Sequence, residues 1–442
     1  MSCDNPAGLY HRQYFLWLLT CLWFAAPALL HAADDFSFEI EKFEKKPLEW
    51  GGYIELEWEH MDVNQGSAFS LLNLYDDPKS TLDRLTGSLK LDGSYVKGIV
   101  SFNWLLKAVG RQDEFGWVDF ADVYEAYASI KPSPFITSGL GKKSYKWGKG
   151  YAWNPVGFIN RLKDPNNPEK ALEGYITAEA DLIKSFSGPL QTAAFTTVVL
   201  PVRQDINEDF GVVDNVNLAA KMYLLYRDID IDFLIYSGNS RTTRFGFDFA
   251  TNITTNFEIH GELAYIPSLN KFVLLDHGSL ATREISATSY LLGLRYLSES
   301  DITSIIEYYH NGGGYSESEL DRFFQLLDDG AVQYDGTGVD ALIQKARNVS
   351  LRGYGRPNPG RNYLYAKFTK KEPFDILYFT PGLTAIINLD DFSSSITPEL
   401  VYTGFTNWQL RLRFSLLSGG GSTEYGEKLN SNKLELRVRY FF

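Results

Sequence analysis

The chain has 442 residues, with 55 acidic against 42 basic side chains and a formal net charge of −13. That balance excludes nucleic acid as a partner class, because phosphate recognition needs clustered lysine and arginine. Aromatic residues reach 15%, whereas cysteine numbers only 2, Cys3 and Cys21, so a disulfide-stapled scaffold is also excluded.

At the start of the chain, His11 and Arg12 precede an apolar run from Tyr14 to Leu30, which ends on His31-Ala32-Ala33-Asp34. A basic start, an apolar stretch and a small-residue exit describe a secretory signal peptide, predicted over 1–33. Both cysteines leave with it. Residues 34–51 are expected to form a periplasmic segment. Beyond them no apolar stretch approaches the ~18 residues that a spanning helix requires.

From residue 52 onward the chain alternates with a period of two. Ile54, Leu56 and Trp58 alternate with Glu55, Glu57 and Glu59. Further along, Ile176, Ala178 and Leu182 oppose Glu173, Glu179 and Asp181, and Phe257, Ile259 and Leu263 oppose Glu258, His260 and Glu262. Near the end, Leu410, Leu412, Phe414 and Leu416 alternate with Gln409, Arg411, Arg413 and Ser415. Finally Leu434, Leu436, Val438 and Tyr440 alternate with Glu435, Arg437 and Arg439. Segments of about ten residues, apolar on one face and charged on the other, suit a wall between lipid and water. About eighteen such strands can be drawn between 52 and 442, with sixteen as the alternative. Short connections are predicted at Gly93-Ser94, Pro132-Ser133, Arg227-Asp228, Glu299-Ser300 and Glu372-Pro373. Long ones are predicted at 61–82, 144–171, 267–284 and 311–361. The fold class is therefore all-β: one antiparallel up-and-down transmembrane β-barrel over 52–442.

The last strand, apolar at every second position and ending on Phe442, resembles the C-terminal strand of Gram-negative outer-membrane β-barrels. That resemblance implies an outer-membrane location, contact with lipid and lipopolysaccharide, and recognition of the terminal strand by the barrel-insertion machinery. The architecture is similar to that of the 18-stranded substrate-specific porins and the alginate exporter, which implies small solutes as partners. Oligomeric state and solute identity stay open.

Two long connections carry distinctive chemistry. Around 144–171 lie Lys142, Lys143, Lys146, Lys149, Arg161 and Lys163, interleaved with Trp147 and Trp153. This is either an inward-folded constriction loop presenting cations to an anionic solute, or an exposed loop touching lipopolysaccharide phosphates. In 311–361, Ser316 and Glu319 fit a capping box before Leu320, Phe323, Phe324 and Leu327. Helices are expected near 316–329 and 340–347, as a lid or as an outward cap.

If the first strand closes on the last, Arg411 faces Arg437, Arg413 faces Glu435, Glu55 faces Arg439 and Glu57 faces Arg437. The predicted pore lining is thus Glu55, Glu57, Glu59, Glu173, Glu179, Asp181, Glu258, Glu262, Arg411, Arg413, Glu435, Arg437 and Arg439. Such ladders sort solutes by charge. The function expected is a porin-like channel for small charged hydrophilic solutes. A surface-binding or partner-sheathing barrel is the alternative, and an outer-membrane hydrolase a minor one. Beyond the signal peptide the histidines are His60, His260, His277 and His310, with no Gly-x-Ser-x-Gly elbow and no metal-ligand spacing. Neither enzyme activity nor a cofactor is expected.

Overall fold

A computed structural model describes residues 47–442. The predicted signal peptide and residues 34–46 of the expected periplasmic segment lie outside the described residues. Strands succeed one another along the chain: β1 Leu48–Val63, β2 Thr81–Lys97, β3 Val100–Asp113, β4 Gly116–Ser133, β5 Ile136–Lys143 and β6 Tyr175–Ser185. They continue as β7 Leu190–Val202, β8 Asn215–Tyr226, β9 Ile229–Ser237, β10 Arg244–Thr254, β11 Phe257–Leu274 and β12 Leu280–Leu297. The last are β13 Ile302–His310, β14 Asn362–Lys370, β15 Phe379–Asn388, β16 Ser394–Tyr402, β17 Trp408–Ser418 and β18 Asn430–Phe441. Each pairs antiparallel with its neighbours in sequence, and β1 pairs with β18, which closes an 18-stranded barrel. Sixteen is too few.

The pleat explains the alternation. Ile54, Leu56, Leu412 and Leu436 project outward and are 37–52% exposed, while Glu59, Arg411, Arg413 and Glu435 project inward and are 4–8% exposed. A closed wall with apolar side chains outside and charges inside is the reverse of a water-soluble barrel, and it is stable against lipid.

Connections are short at the end of the barrel that holds the C-terminus and longer at the other. Arg227 and Asp228, both at positive φ (49° and 63°), make the tight two-residue turn expected there. Two other turns lie further along than predicted. Gly93-Ser94 and Pro132-Ser133 sit inside β2 and β4, and the chain reverses at Gly98-Ile99 and Pro134-Phe135 instead. Gly98, at φ 61°, takes the left-handed conformation that such a turn needs. The predicted long loop 267–284 is mostly strand. After a register shift between Ile266 and Leu269, Leu269–Leu274 pairs with Leu280–Ile285, so Pro267 marks a bulge and not the end of a strand. At the first strand, pairing begins at Leu48, inside the segment expected to precede the barrel.

Three helices occupy the long-loop mouth: α1 (Ala68–Leu74), α2 (Glu317–Thr337) and α3 (Ala341–Val349). The expected capping box is present. Glu319 N–H donates to the Ser316 hydroxyl at 3.3 Å, and Ser316 N–H donates to the Glu319 carboxylate at 2.8 Å. The helix runs to Thr337, past the predicted end at 329, and stops at Gly338 with φ 71°. Leu320, Phe323, Phe324 and Leu327 pack with Ile343 and Ala346 of α3, Ala68 and Leu72 of α1, and Leu274 of β11. Because α1 joins β1 to β2, and β11 stands nearly opposite in the closed strand order, the insert crosses the mouth as a roof.

Glu319 also receives Lys271 Nζ at 2.8 Å. Burial alone would raise the Glu319 carboxyl, but the Lys271 ammonium and the Ser316 N–H outweigh it and hold its pKa below the usual range. A depressed folded-state value stabilises above the unfolded value of about 4.3 and is lost as pH falls through the lower, folded value. Protection of the amides over 316–327, relative to their intrinsic exchange rates, should therefore fall at that acid end before that of the strands. Equal protection at pH 3 and pH 7 would contradict this.

Candidate functional site

The closure wall carries the charges that the sequence pointed to, in the predicted register. Glu55 pairs with Arg439, Glu57 with Arg437, Arg411 with Arg437, and Arg413 with Glu435. The ion pairs, however, run diagonally as well as straight across. Arg411 Nη2 bonds to Glu435 and lies 3.6 Å from Glu57 and, through Nη1, 3.7 Å from Glu399. Arg413 lies 3.5 Å from both Glu399 and Glu435. Arg439 donates to Glu55 at 2.5 and 2.8 Å, and Arg437 stands 3.5 Å from the same carboxylate. Glu59 takes Lys433 at 2.6 Å and Arg84 at 3.1 Å. Glu399, Lys433 and Arg84 were not among the predicted residues, yet each shares the inward parity of its strand. The Glu57, Glu59 and Glu435 carboxylates lie within 4.8 Å of one another, a spacing compatible with a metal ion. Arg84, Arg411 and Lys433 already supply the countercharge there.

The second constellation is built around the connection 144–174. It folds into the barrel and is held by carboxylates on the far wall. Glu262 of β11 accepts the N–H groups of Lys149 and Gly150 at 2.6 Å, that of Val156 at 3.2 Å, and the Asn154 side-chain amide at 2.8 Å. Glu307 of β13 accepts Tyr151 N–H at 2.5 Å and Ala152 N–H at 2.9 Å, with His260 Nε2 at 2.9 Å. Gly148 permits the approach: at φ 103° it takes a conformation unsuited to other residues, and a Cβ there would stand 2.7 Å from Glu262 Oε1. Beyond these anchors, Trp153 lies among Tyr309, Tyr363 and Tyr365, with ring centroids 5.1, 5.8 and 6.0 Å away. Trp147, Val156, Phe158 and Ile159 pack on Val198, Leu200 and Tyr236. On β17, Arg413 donates to Asn166 O at 2.7 Å, so the loop reaches from β5 across to the closure wall.

The loop's cations are mostly spoken for. Lys143 bonds to Glu179, Arg161 to Asp209, and Lys149 reaches Asp232 at 3.0 Å and Asp248 at 3.8 Å. Lys163 donates to the carbonyls of Gly150 and Tyr151 at 2.9 and 3.2 Å. Lys146 is exposed and makes no ion pair among the described residues. The connection is thus folded inward, and Lys143, Lys149, Arg161 and Lys163 are engaged by acceptors of the protein itself and not displayed as free cations.

Lys142 departs further. Its register partners put it on the face of Leu140 and Ile176, the exposed apolar face, where it pairs with Glu173. Glu173 itself precedes β6 and belongs to the loop, not to the wall. Asp181 accepts the Thr196 hydroxyl, and Glu258 stands 3.4 Å from His260 Nδ1.

Asp232 and Asp248 were absent from the predicted lining, whereas Glu307 has the inward parity expected of it and holds the loop. The run Ile229-Asp230-Ile231-Asp232-Phe233 carries the same alternation that marked the other strands and was the signal available for the first of them.

No family model matches this sequence, and no curated protein matches it. Solved structures do resemble the fold. Pseudomonas aeruginosa OccK2 (OpdF), in complex with glucuronate, aligns with a TM-score of 0.50 at 12% identity, over 89% of this chain and 96% of that one. Pseudomonas aeruginosa OccK11 (OpdR) aligns at 0.49 and 10%, covering 89% and 95%, and Acinetobacter baumannii OccAB2 at 0.48 and 10%, covering 89% and 98%. At these identities the likeness is one of fold: this chain has the closed, 18-stranded antiparallel architecture of porin-like barrels.

Proposed function

We propose that this chain is an outer-membrane channel through which small, charged, hydrophilic solutes diffuse. The observation that carries the reading is the loop 144–174, seated on Glu262 and Glu307 inside a closed barrel whose other interior wall is charged. An inward loop narrows a lumen, and fixed charges along a narrowed path sort solutes by sign. The lining residues are the inward charges of β17, β18, β1 and β2, with Asp181 and Glu258 beyond the loop; Glu179 and Glu262, bonded to the loop and buried, hold it instead. The apolar exterior supports contact with lipid and lipopolysaccharide, and the terminal strand supports delivery by the barrel-insertion machinery of a Gram-negative cell.

Proteoliposomes holding the purified chain should swell in small sugars and amino acids faster than empty liposomes, and the rate should fall as solute size grows. Swelling no faster than that of empty liposomes, with the barrel folded, would rule the channel out.

A further inference from the structure

At the end of the barrel where the connections are short, two cations on the outer rim have aromatic neighbours and no carboxylate partner. Lys184, near the end of β6, shares the outward parity of Leu182, and its ammonium lies 5.2 Å from the centre of the Phe186 ring. Arg227, in the turn after β8, has its guanidinium carbon 5.6 Å from the centre of the Tyr226 ring. Both residues are exposed, and neither side chain makes an ion pair or a hydrogen bond among the described residues. Backbone contacts set the turns 186–189 and 227–228 side by side: Phe186 N–H donates to Gln191 O at 2.8 Å, and Arg227 N–H to Pro189 O at 2.9 Å. Asp228, the one carboxylate on these two turns, accepts the Gln191 side-chain amide at 2.8 Å. Register places Lys184, Ala193 and Leu224 in one row across β6, β7 and β8, with Leu182, Phe195 and Met222 in the next outward row away from the turns.

Other rim cations differ. At the opposite end of the barrel Lys142 is bonded to Glu173 and Arg161 to Asp209. At the short-turn end the arc from β10 to β15 mixes Glu299, Asp301, Glu372 and Asp375 with Lys370 and Lys371. The arc from β2 to β9 instead exposes Lys97, Lys131, Lys184 and Arg227, all without an ion pair among the described residues. Cations beside aromatic rings, where an apolar outer surface ends, suit a lipid phosphate: rings and stems lie at the acyl boundary, and the charged heads reach the headgroup layer. Strands β6 and β8 stand about 10 Å apart across β7, and the short side chain of Ala193 between them leaves an opening that a headgroup can fill. We infer that this face holds an anionic phospholipid of the periplasmic leaflet, its phosphate between Lys184 and Arg227 and its acyl chains along Leu182, Phe195 and Met222. Short turns face the periplasm in barrels of this kind, which fixes the leaflet. The inference rests on the barrel's seat in a membrane and not on an open lumen.

Native mass spectrometry of the full chain in detergent tests this, with phosphatidylglycerol against phosphatidylcholine of the same acyl chains. The unsubstituted protein should retain phosphatidylglycerol about tenfold more tightly, since each cation at an anionic headgroup contributes several-fold. Lys184→Gln with Arg227→Gln should bring that ratio to within about threefold of unity, and Lys184→Arg, which keeps the charge, should preserve it. Lys371→Gln, in the connection between β14 and β15, should leave the ratio unchanged. Neither Lys184 nor Arg227 has a side-chain partner beyond its neighbouring ring, so the double variant should fold, as heat-modifiable gel mobility will show. Equal retention of the two lipids by the unsubstituted chain, or a folded double variant as selective as that chain, overturns the lipid site. An electrically silent bilayer would overturn the channel and leave the lipid site standing.

Discussion

Glu262→Ala should open the lumen. The substitution removes the acceptor from three backbone N–H groups and the Asn154 amide. Hydrogen bonds to a charged group contribute about 1.5–3 kcal/mol each, and donors left buried cost more, so the loop loses about 3 kcal/mol or more of anchoring. Glu307 and the Trp153 aromatic cluster remain, and the loop should loosen around them instead of leaving the barrel. Single-channel conductance should rise about twofold, in line with a wider constriction. Trypsin should then cut at Lys149 or Lys163, which are tied down in the native protein. Unchanged conductance together with unchanged protease resistance would contradict the anchoring role.

Glu435→Ala should destabilise the barrel itself. Glu435 is 4% exposed and neutralises Arg411 and Arg413, themselves 8% and 7% exposed, with Lys433 at 3.7 Å. Removing one partner from a buried ionic cluster strands the others, at a cost of about 3–5 kcal/mol. Urea unfolding of the chain in lipid vesicles should show that loss as an earlier midpoint with an unchanged slope. The paired change Arg411→Met with Glu435→Met should recover part of it, because apolar replacement of both partners avoids an uncompensated charge. A midpoint equal to that of the unsubstituted chain would mean that water in the lumen screens the cluster.

Local rules carried the strands. Period-two runs such as Ile54–Glu59 and Leu434–Phe442 stand out because lipid and water ask for opposite chemistry at successive residues. Register at the closure was legible for a related reason: only one parity puts Arg437 and Glu57 inside. Ser316 and Glu319 announced α2 through a contact spanning three residues. The loop's seat was different. Glu262 meets Lys149 across 113 positions and Glu307 meets Tyr151 across 156, and nothing near 149 or 151 names its acceptor. Basic residues there suggested a display of cations; the fold supplies Glu179, Asp209 and Asp232 to neutralise them. Turn positions slipped where Gly93 and Pro132 looked like breakers. A Gly on the outer face opposite Trp104, and a Pro near a strand end, are both compatible with continued pairing.

Planar-bilayer recording of the purified full chain is the most direct measurement. Stepwise insertion of open channels should appear, each conducting potassium chloride steadily and each gaining conductance in Glu262→Ala. Folded protein that inserts and leaves the bilayer electrically silent, with Glu262→Ala equally silent, would show that the barrel does not form a solute path.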